Sequence, residues 1–249
     1  MLRSINEMIG YELLIEGKSV GKCKDLLFDD DCWTIRYSLA DTGKWLLDKK
    51  VLISPLMISN MDWSSRIIDL NISKEQLEDC PSQNVDEPVS RAYETKLHQF
   101  FRYPAYWASD GLWGHAAFPT DVSISIDSEI DENPIHEPIL AIEEKNHLRS
   151  FKKVKRYSIH TLDGDIGHLE DIVVDSQTWA LRYIVVDTRN WIPGGKKVML
   201  SLNWVDNISL LNAHLSVNLS KEKIKESPEF DPSMPVNSEY EKILYDYYG

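Results

Sequence analysis

The sequence contains two matching segments, and this repeat limits the possible fold more than any other feature. Residues 20–45, VGKCKDLLFDDDCWTIRYSLADTGKW, match residues 166–191, IGHLEDIVVDSQTWALRYIVVDTRNW, at a constant spacing of 146. One residue is added near Pro193, and the spacing of 147 then continues into the tails, where Tyr93-Glu94 aligns with Tyr240-Glu241. One register held over about ninety residues predicts an internal duplication.

Each copy has the pattern of short β-strands. Four apolar residues of the first copy alternate with polar ones, as in a strand with one buried face: Trp33, Ile35, Tyr37 and Leu39. Short strands at close spacing favour a small barrel, because closure removes the exposed edges of a lone sheet. We predict a mainly β protein with two tandem small barrels, each followed by a short helix and a helical tail. The strands of the first copy are expected near 10–15, 20–28, 33–40, 45–53 and 66–72.

The predicted domain organisation follows from the repeat. Ser73 and Gln76 form a capping-box pattern, which indicates a helix directly after the first barrel. The predicted domains are the first barrel (1–81), its helical tail (82–101), an aromatic and then acidic linker (102–150), the second barrel (151–228) and its helical tail (229–249).

Two sets of apolar residues are expected to pack against another surface. Aromatic residues that have no counterpart in the second copy open the linker, and the second tail carries a helical apolar stripe. Amphipathic aromatic side chains are favoured at interfaces, and paired stripes would give a dimer; packing within the chain is the alternative. The candidate interface residues are Tyr103, Tyr106, Trp107, Trp113, Tyr240, Leu244 and Tyr247.

One polar pair occurs in both copies. If the strands around them form hairpins, Asp25 lies opposite Arg36, and Asp171 lies opposite Arg182. Such carboxylate–guanidinium pairs fix the register of a hairpin. The alternative is a charged binding groove that is present twice.

Composition excludes several classes of function. The net charge of −13 disfavours binding to nucleic acid, because the chain repels phosphate backbones. No run reaches the ~18 apolar residues of a membrane span, and the start lacks the features of a signal peptide, so we expect a cytoplasmic protein without an integral membrane segment.

The chain lacks the sequence motifs of common catalytic and cofactor sites. We find no GxSxG motif, no glycine-rich phosphate loop and no cysteine pair with metal-ligand spacing. We therefore predict no enzyme activity, no cofactor and no bound metal. The alternative metal site is the turn around Asp163 and Asp165, which His160 and His168 flank.

The stretch DGDIGHLEDIVVDSQTWALRYIVVDTRNWIPGGKKVMLS (163–201) resembles the PRC-barrel family. The resemblance covers about 5–80 and 152–228, and it is greatest to bacterial proteins with tandem PRC-barrels. It implies a small, strongly bent β-barrel that serves as a docking or assembly domain, with no catalytic residues to transfer.

The resulting hypothesis is a non-enzymatic interaction or assembly module whose protein partner is unknown and which self-associates into a dimer. One alternative is a small-molecule or metal-binding sensor that uses a cleft between the barrels. A third is a ribosome-associated adaptor that binds a basic protein, and a hydrolytic enzyme has only ordinary polar residues in its favour.

Overall fold

The computed structural model describes residues 1–43, 46, 51–82, 88–122, 148–191, 193–234 and 236–248. They form two compact units. The first-barrel unit is Ile9–Leu148, and the second-barrel unit is Met1–Met8 together with Arg149–Gly249. The described residues contain two seven-stranded sheets, one of which curls into a half-barrel, so the predicted mainly β fold with two tandem barrel-like domains is confirmed.

Strand β1 (Leu2–Ser4) and helix α1 (Ile5–Met8) open the chain and belong to the second-barrel unit. The sheet of the first-barrel unit has the order β5-β4-β3-β2-β7-β6, in which β2 and β7 are parallel. Strand β8 is Leu148–Ser150. The strands are β2 (Glu12–Ile15), β3 (Lys18–Asp29), β4 (Thr34–Asp41), β5 (Val51–Ile53), β6 (Ile58–Asp62) and β7 (Ile67–Leu70).

The sheet of the second-barrel unit repeats this order. Its strands run β12-β11-β10-β9-β14-β13, the β9–β14 pair is parallel, and β1 pairs with the end of β10. The strands are β9 (Ser158–Thr161), β10 (Gly164–Asp175), β11 (Leu181–Asp187), β12 (Lys197–Ser201), β13 (Val205–Ser209) and β14 (His214–Val217).

Short helices follow each barrel. The Ser73–Gln76 capping box predicted from the sequence is formed with both of its hydrogen bonds. Within the described residues, no helix combines the length and apolar character that crossing a membrane requires. The remaining α-helices are α2 (Lys74–Asp79), α3 (Arg91–Phe101), α4 (Phe151–Val154), α5 (Lys221–Glu226) and α6 (Ser238–Tyr248).

The hairpins β3–β4 and β10–β11 contain β-bulges, and their register differs from the one that the predicted ion pairing required. Asp25 lies opposite Leu39 rather than Arg36, and Asp171 lies opposite Val185 rather than Arg182. The difference begins at the turns, where Phe28 pairs with Ile35 rather than Trp33 and Val174 pairs with Leu181 rather than Trp179. A bulge then shifts the partners by one more residue. The bulges occur at matched positions, 146 residues apart. They lie between Cys23 and Asp25 and between Leu27 and Phe28 in the first-barrel unit, and between Leu169 and Asp171 and between Val173 and Val174 in the second.

Strand β4 also departs from the predicted alternation. Residues Thr34 to Ser38 are all buried, so the strand has no solvent-facing side in this stretch. The expected polar face is covered, because Tyr37 contacts α3 and Arg36 contacts the residues that follow α3. Strands β1 and β6 were not predicted, and part of the predicted strand 45–53, residues 45 and 47–50, lies outside the described residues.

The opening segment is the main difference between the predicted first domain, 1–81, and the compact units. Met1–Met8 belongs to the second-barrel unit, where Asp171 accepts hydrogen bonds from the Ser4 hydroxyl and from the backbone N–H of Asn6 (3.1 Å). The Asn6 amide donates to the Glu170 carbonyl (3.0 Å) and accepts from Lys155 (2.8 Å). Asp171 therefore anchors the first residues of the chain to β10.

Helix α6 covers the sheet of its own unit. Leu244 is buried in a cluster with Val173, Val185, Met199 and Phe230. The apolar stripe predicted for this tail thus packs largely within the chain.

We expect Asp171→Asn to destabilise the second-barrel unit by about 1–3 kcal/mol, because the amide cannot accept all the hydrogen bonds that the buried carboxylate accepts. Urea unfolding measures the loss, and hydrogen exchange of the β1 amides locates it. Asp206→Asn, which changes an exposed carboxylate on β13, is the matched control. Equal effects of the two substitutions would contradict the anchoring role.

Candidate functional site

Buried polar side chains gather in the first-barrel unit where β4, α3 and residues 104–113 meet. We call this group the buried polar cluster. It is unusual for a small barrel, because charged side chains are rarely buried unless they are paired. Its members are Arg36, Tyr37, Arg91, Glu94, His98 and Tyr106.

Glu94 lies at the centre of the buried polar cluster and has no solvent exposure. One carboxylate oxygen is 3.0 Å from the Arg91 guanidinium, and the other accepts a hydrogen bond of 2.6 Å from the Tyr106 hydroxyl. Burial raises the pKa of the Glu94 carboxyl to about 7, although Arg91 and the Tyr106 hydroxyl both favour the charged form. Glu94 therefore changes charge near neutral pH.

His98 is a hydrogen-bond partner of the Tyr37 hydroxyl. Its Nδ1 is 2.9 Å from the Pro104 carbonyl oxygen, and its Nε2 is 2.9 Å from the Tyr37 hydroxyl. Because a carbonyl oxygen only accepts, Nδ1 carries the proton and Nε2 accepts from Tyr37. Burial lowers the pKa of the imidazole to about 4, so His98 is neutral near pH 7.

Arg36 is enclosed by residues that follow α3. Its Nε lies 3.7 Å from an Asp29 carboxylate oxygen, and its guanidinium donates to the Leu112 carbonyl. The guanidinium carbon lies 3.8 Å from the centre of the Tyr106 ring and 5.2 Å from that of Trp113. The partner of Arg36 is thus Asp29, and aromatic rings cover the pair.

The matched arginine of the second-barrel unit has a different environment. Arg182 lies 3.9 Å from Asp175, so the Asp29–Arg36 pairing recurs, but its side chain is 53% exposed whereas Arg36 is 1% exposed. The Tyr183 hydroxyl, at the position of Tyr37, donates to Glu241 (2.9 Å), at the position of Glu94. Aromatic rings cover Arg36, whereas the Arg182 side chain is half exposed.

The titratable groups of the buried polar cluster are buried inside the first-barrel unit. A carboxyl with a pKa near 7 and a neutral imidazole are groups that enzymes use for proton transfer. Here Tyr37 and Glu94 are completely buried, and their hydrogen bonds go to other side chains of the unit. The cluster therefore holds α3 and residues 104–113 against the barrel.

The second-barrel unit has an open groove of about 430 Å³. It is lined by β1 and α1, by residues of β10, β11 and β12, and by Phe230, residues 232–234 and Val236. Val173 and Val185 contribute apolar surface, whereas Glu170 and Lys197 contribute an ion pair of 3.3 Å.

A group of possible metal ligands borders this groove. One ligand atom from each of His168, Glu170 and Asp187 lies within 4.8 Å of the other two. Hydrogen bonds from Arg189 lower the pKa of Asp187 to about 2 and keep it charged.

The structure does not combine the four residues of the sequence-based metal site. His160 bonds to Asp165 (2.8 Å) and its ring centre lies 5.5 Å from that of His214, whereas His168 lies opposite Ser158. Asp163 accepts hydrogen bonds from Thr161 (2.9 Å) and from the backbone of Lys221 (2.8 Å).

Several candidate interface residues pack inside the units. Tyr106, Trp113 and Leu244 are buried, which is the intramolecular alternative that the sequence left open. Tyr103 and Trp107 are partly buried beside the His98 ring. The remaining two, Tyr240 and Tyr247, are partly buried on α6.

Exposed large apolar side chains are concentrated in the second-barrel unit. Its described residues of this kind are Leu162, Trp191, Leu210, Leu211, Met234, Ile243, Tyr245 and Met1, compared with Phe100 and Phe118 in the first-barrel unit.

Glu94, Arg91 and His98 were missed as a site by the sequence analysis. The signal was present, because Glu94 and Glu241 occur at matched positions next to the apolar stripes of the two tails.

A comparison with protein-family models finds no match, and neither does a comparison with curated proteins.

The two matched arginines provide a test of the enclosed cluster. Arg36→Ala should lower the free energy of unfolding by about 3–5 kcal/mol, because it leaves buried Asp29 without its guanidinium partner. Arg182→Ala should cost about 1 kcal/mol or less, because its pair is exposed. Chemical denaturation of both variants measures the difference, and equal losses would contradict the distinct roles.

The pH dependence of stability provides a second test. Between about pH 4.5 and 7, folded Glu94 holds a proton that the unfolded chain has lost, so its contribution to stability falls as pH rises. Between about pH 4 and 6.5, unfolded His98 is protonated and folded His98 is not, so its contribution rises with pH. The two slopes oppose each other in the wild type.

Removing either group should expose the slope of the other. Relative to wild type, Glu94→Gln should make stability increase more steeply with pH from 4.5 to 6.5, and His98→Asn should make it decrease, by up to about 1.4 kcal/mol per pH unit. Urea unfolding at a series of pH values measures this. Parallel pH profiles for the wild type and both variants would show that these groups do not titrate as described.

Proposed function

We propose that this chain is a non-enzymatic assembly module of duplicated PRC-barrels in which the second-barrel unit self-associates to form a dimer. The observation that carries the proposal is a difference between matched positions. Leu162, Leu211 and Ile243 are exposed in the second-barrel unit, and the first copy has Glu16, Ser64 and Lys96 at these positions.

Single exposed leucines are common on soluble proteins and carry little information. The first copy has polar residues at the three equivalent positions, so the fold itself does not require exposed apolar side chains there. Leu211 is 94% exposed, Leu162 is 71% exposed and Ile243 is 51% exposed. Exposed apolar surface of this kind is typical of contacts with another protein.

The distribution of charge supports a second copy of the chain as the partner. Residues 1–8 and 149–249 contain 14 basic and 15 acidic residues, whereas residues 9–148 contain 13 basic and 25 acidic. Two second-barrel units therefore approach without strong repulsion, while the acidic first-barrel units repel each other. A near-neutral surface also promotes association.

The enclosed chemistry of the first-barrel unit is consistent with a role other than catalysis. Its groups with shifted pKa values, Glu94 and His98, are buried and bonded to neighbours within the unit. The resemblance of residues 163–201 to the PRC-barrel family implies a docking or assembly domain, which agrees with this proposal.

Sedimentation velocity over a range of protein concentrations tests the proposal. The wild type should show a concentration-dependent dimer, and the combined variant Leu162→Glu, Leu211→Ser and Ile243→Lys should weaken its association by at least about tenfold. Added salt should strengthen wild-type association, because it screens repulsion between the acidic units.

Phe118→Ser serves as the control, since it removes an exposed aromatic ring from the first-barrel unit. It should leave the dimer unchanged. A wild type that stays monomeric at every concentration and salt level, or a combined variant that associates as well as the wild type, would refute the proposal.

A further inference from the structure

We infer that His168, Glu170 and Asp187 form a binding site for one divalent transition-metal ion in the second-barrel unit. The inference rests on ligand geometry, on the strands that carry the ligands and on the two cations beside them. It is independent of self-association.

The three ligands lie on two paired strands. His168 of β10 is directly opposite Asp187 of β11, and Glu170 follows two residues after His168. Glu170 is the extra residue of the β-bulge between Leu169 and Asp171, which interrupts the alternation of side chains, and its carboxylate lies 3.7 Å from the His168 imidazole. Ligands held on strands rather than on loops are preorganised for binding.

Gly167 allows the two strands to approach each other closely at this point. A Cβ atom on residue 167 would lie 2.5 Å from the Asp187 carbonyl oxygen, which is closer than real contacts permit. Only glycine fits here without moving β11. The close approach places the side chain of His168 beside that of Asp187.

The donor set suits a transition metal. Imidazole nitrogen is a good ligand for zinc and similar ions, and carboxylate oxygen binds zinc and manganese. His168 and Glu170 are about one-quarter exposed, whereas Asp187 is largely buried. Three protein ligands leave positions for water or a small ligand, and Glu170 also lines the 430 Å³ groove.

Two cations hold the carboxylates in the structure. Arg189 donates to both oxygens of Asp187 at 3.0 Å from Nε, and Lys197 lies 3.3 Å from Glu170. The Arg189 side chain is 59% exposed, so it can move into solvent. A metal ion would therefore displace Arg189 and take its place on Asp187, and Arg189 should act as a competitor of the metal.

The first copy lacks the donor set. Lys22 and Lys24 stand at the positions of His168 and Glu170, and only Asp41 matches Asp187. Two lysines repel a cation at that place. The inference therefore predicts one site of this type per chain.

Isothermal titration calorimetry of the full chain with Zn²⁺, and in parallel with Mn²⁺, tests the site. We expect one equivalent to bind to the wild type for at least one of the two ions. His168→Gln should weaken this binding by about tenfold or more, and Arg189→Gln should strengthen it because the competing guanidinium is removed. Circular dichroism checks that each variant is folded.

His160→Gln is the matched control, because it removes an exposed histidine of the same unit that bonds to Asp165 and lies near His214. It should leave the affinity unchanged. Absence of binding to the wild type would refute the inference, and so would an equal loss of affinity in His160→Gln and His168→Gln.

A readout on the wild type avoids dependence on variants. Substoichiometric Mn²⁺ should broaden the ring resonances of His168 before those of His160 and His214 in an NMR titration. Broadening of His160 and His214 first would place the ion elsewhere and would also refute the inference.

Discussion

The cost of burying charge governs the structure of the first-barrel unit. Arg36 projects from β4 into a region without solvent, and a guanidinium there needs a carboxylate, hydrogen-bond acceptors and aromatic faces around it. Asp29, the Leu112 carbonyl and the rings of Tyr106 and Trp113 provide them. Residues 104–113 are therefore held in place by a polar network rather than by apolar contact alone.

The two units consequently present different surfaces. In the first-barrel unit, the titratable groups Glu94 and His98 are buried, and residues 9–148 carry most of the net negative charge of the chain. The second-barrel unit is nearly neutral, leaves Arg182 half exposed and displays apolar side chains and a groove. Exposed large apolar side chains are thus concentrated in the second-barrel unit, whereas in the first-barrel unit aromatic rings cover the matching arginine.

Local pattern predicted much of the fold but not the pairing of side chains. Alternation and turn residues indicated the strands, and the Ser73–Gln76 capping box was correct in detail. The Asp25–Arg36 register was wrong because the turn after β3 extends two residues further than the pattern indicated, and a bulge shifts the partners by one more residue. The buried polar cluster was missed because Arg36, Glu94 and Tyr106 are distant in sequence and meet only in the folded unit.

By itself, the sequence determined the mainly β class, the helices that follow each barrel and the match between two segments, since these depend on periodicity and on local hydrogen bonding. Tertiary structure alone decided that Met1–Met8 completes the second-barrel unit, that Asp29 rather than Asp25 pairs with Arg36, and that His168 lies with Glu170 and Asp187. These outcomes depend on how strands bend and on what covers each face, and contacts between distant residues leave no periodic trace in the chain.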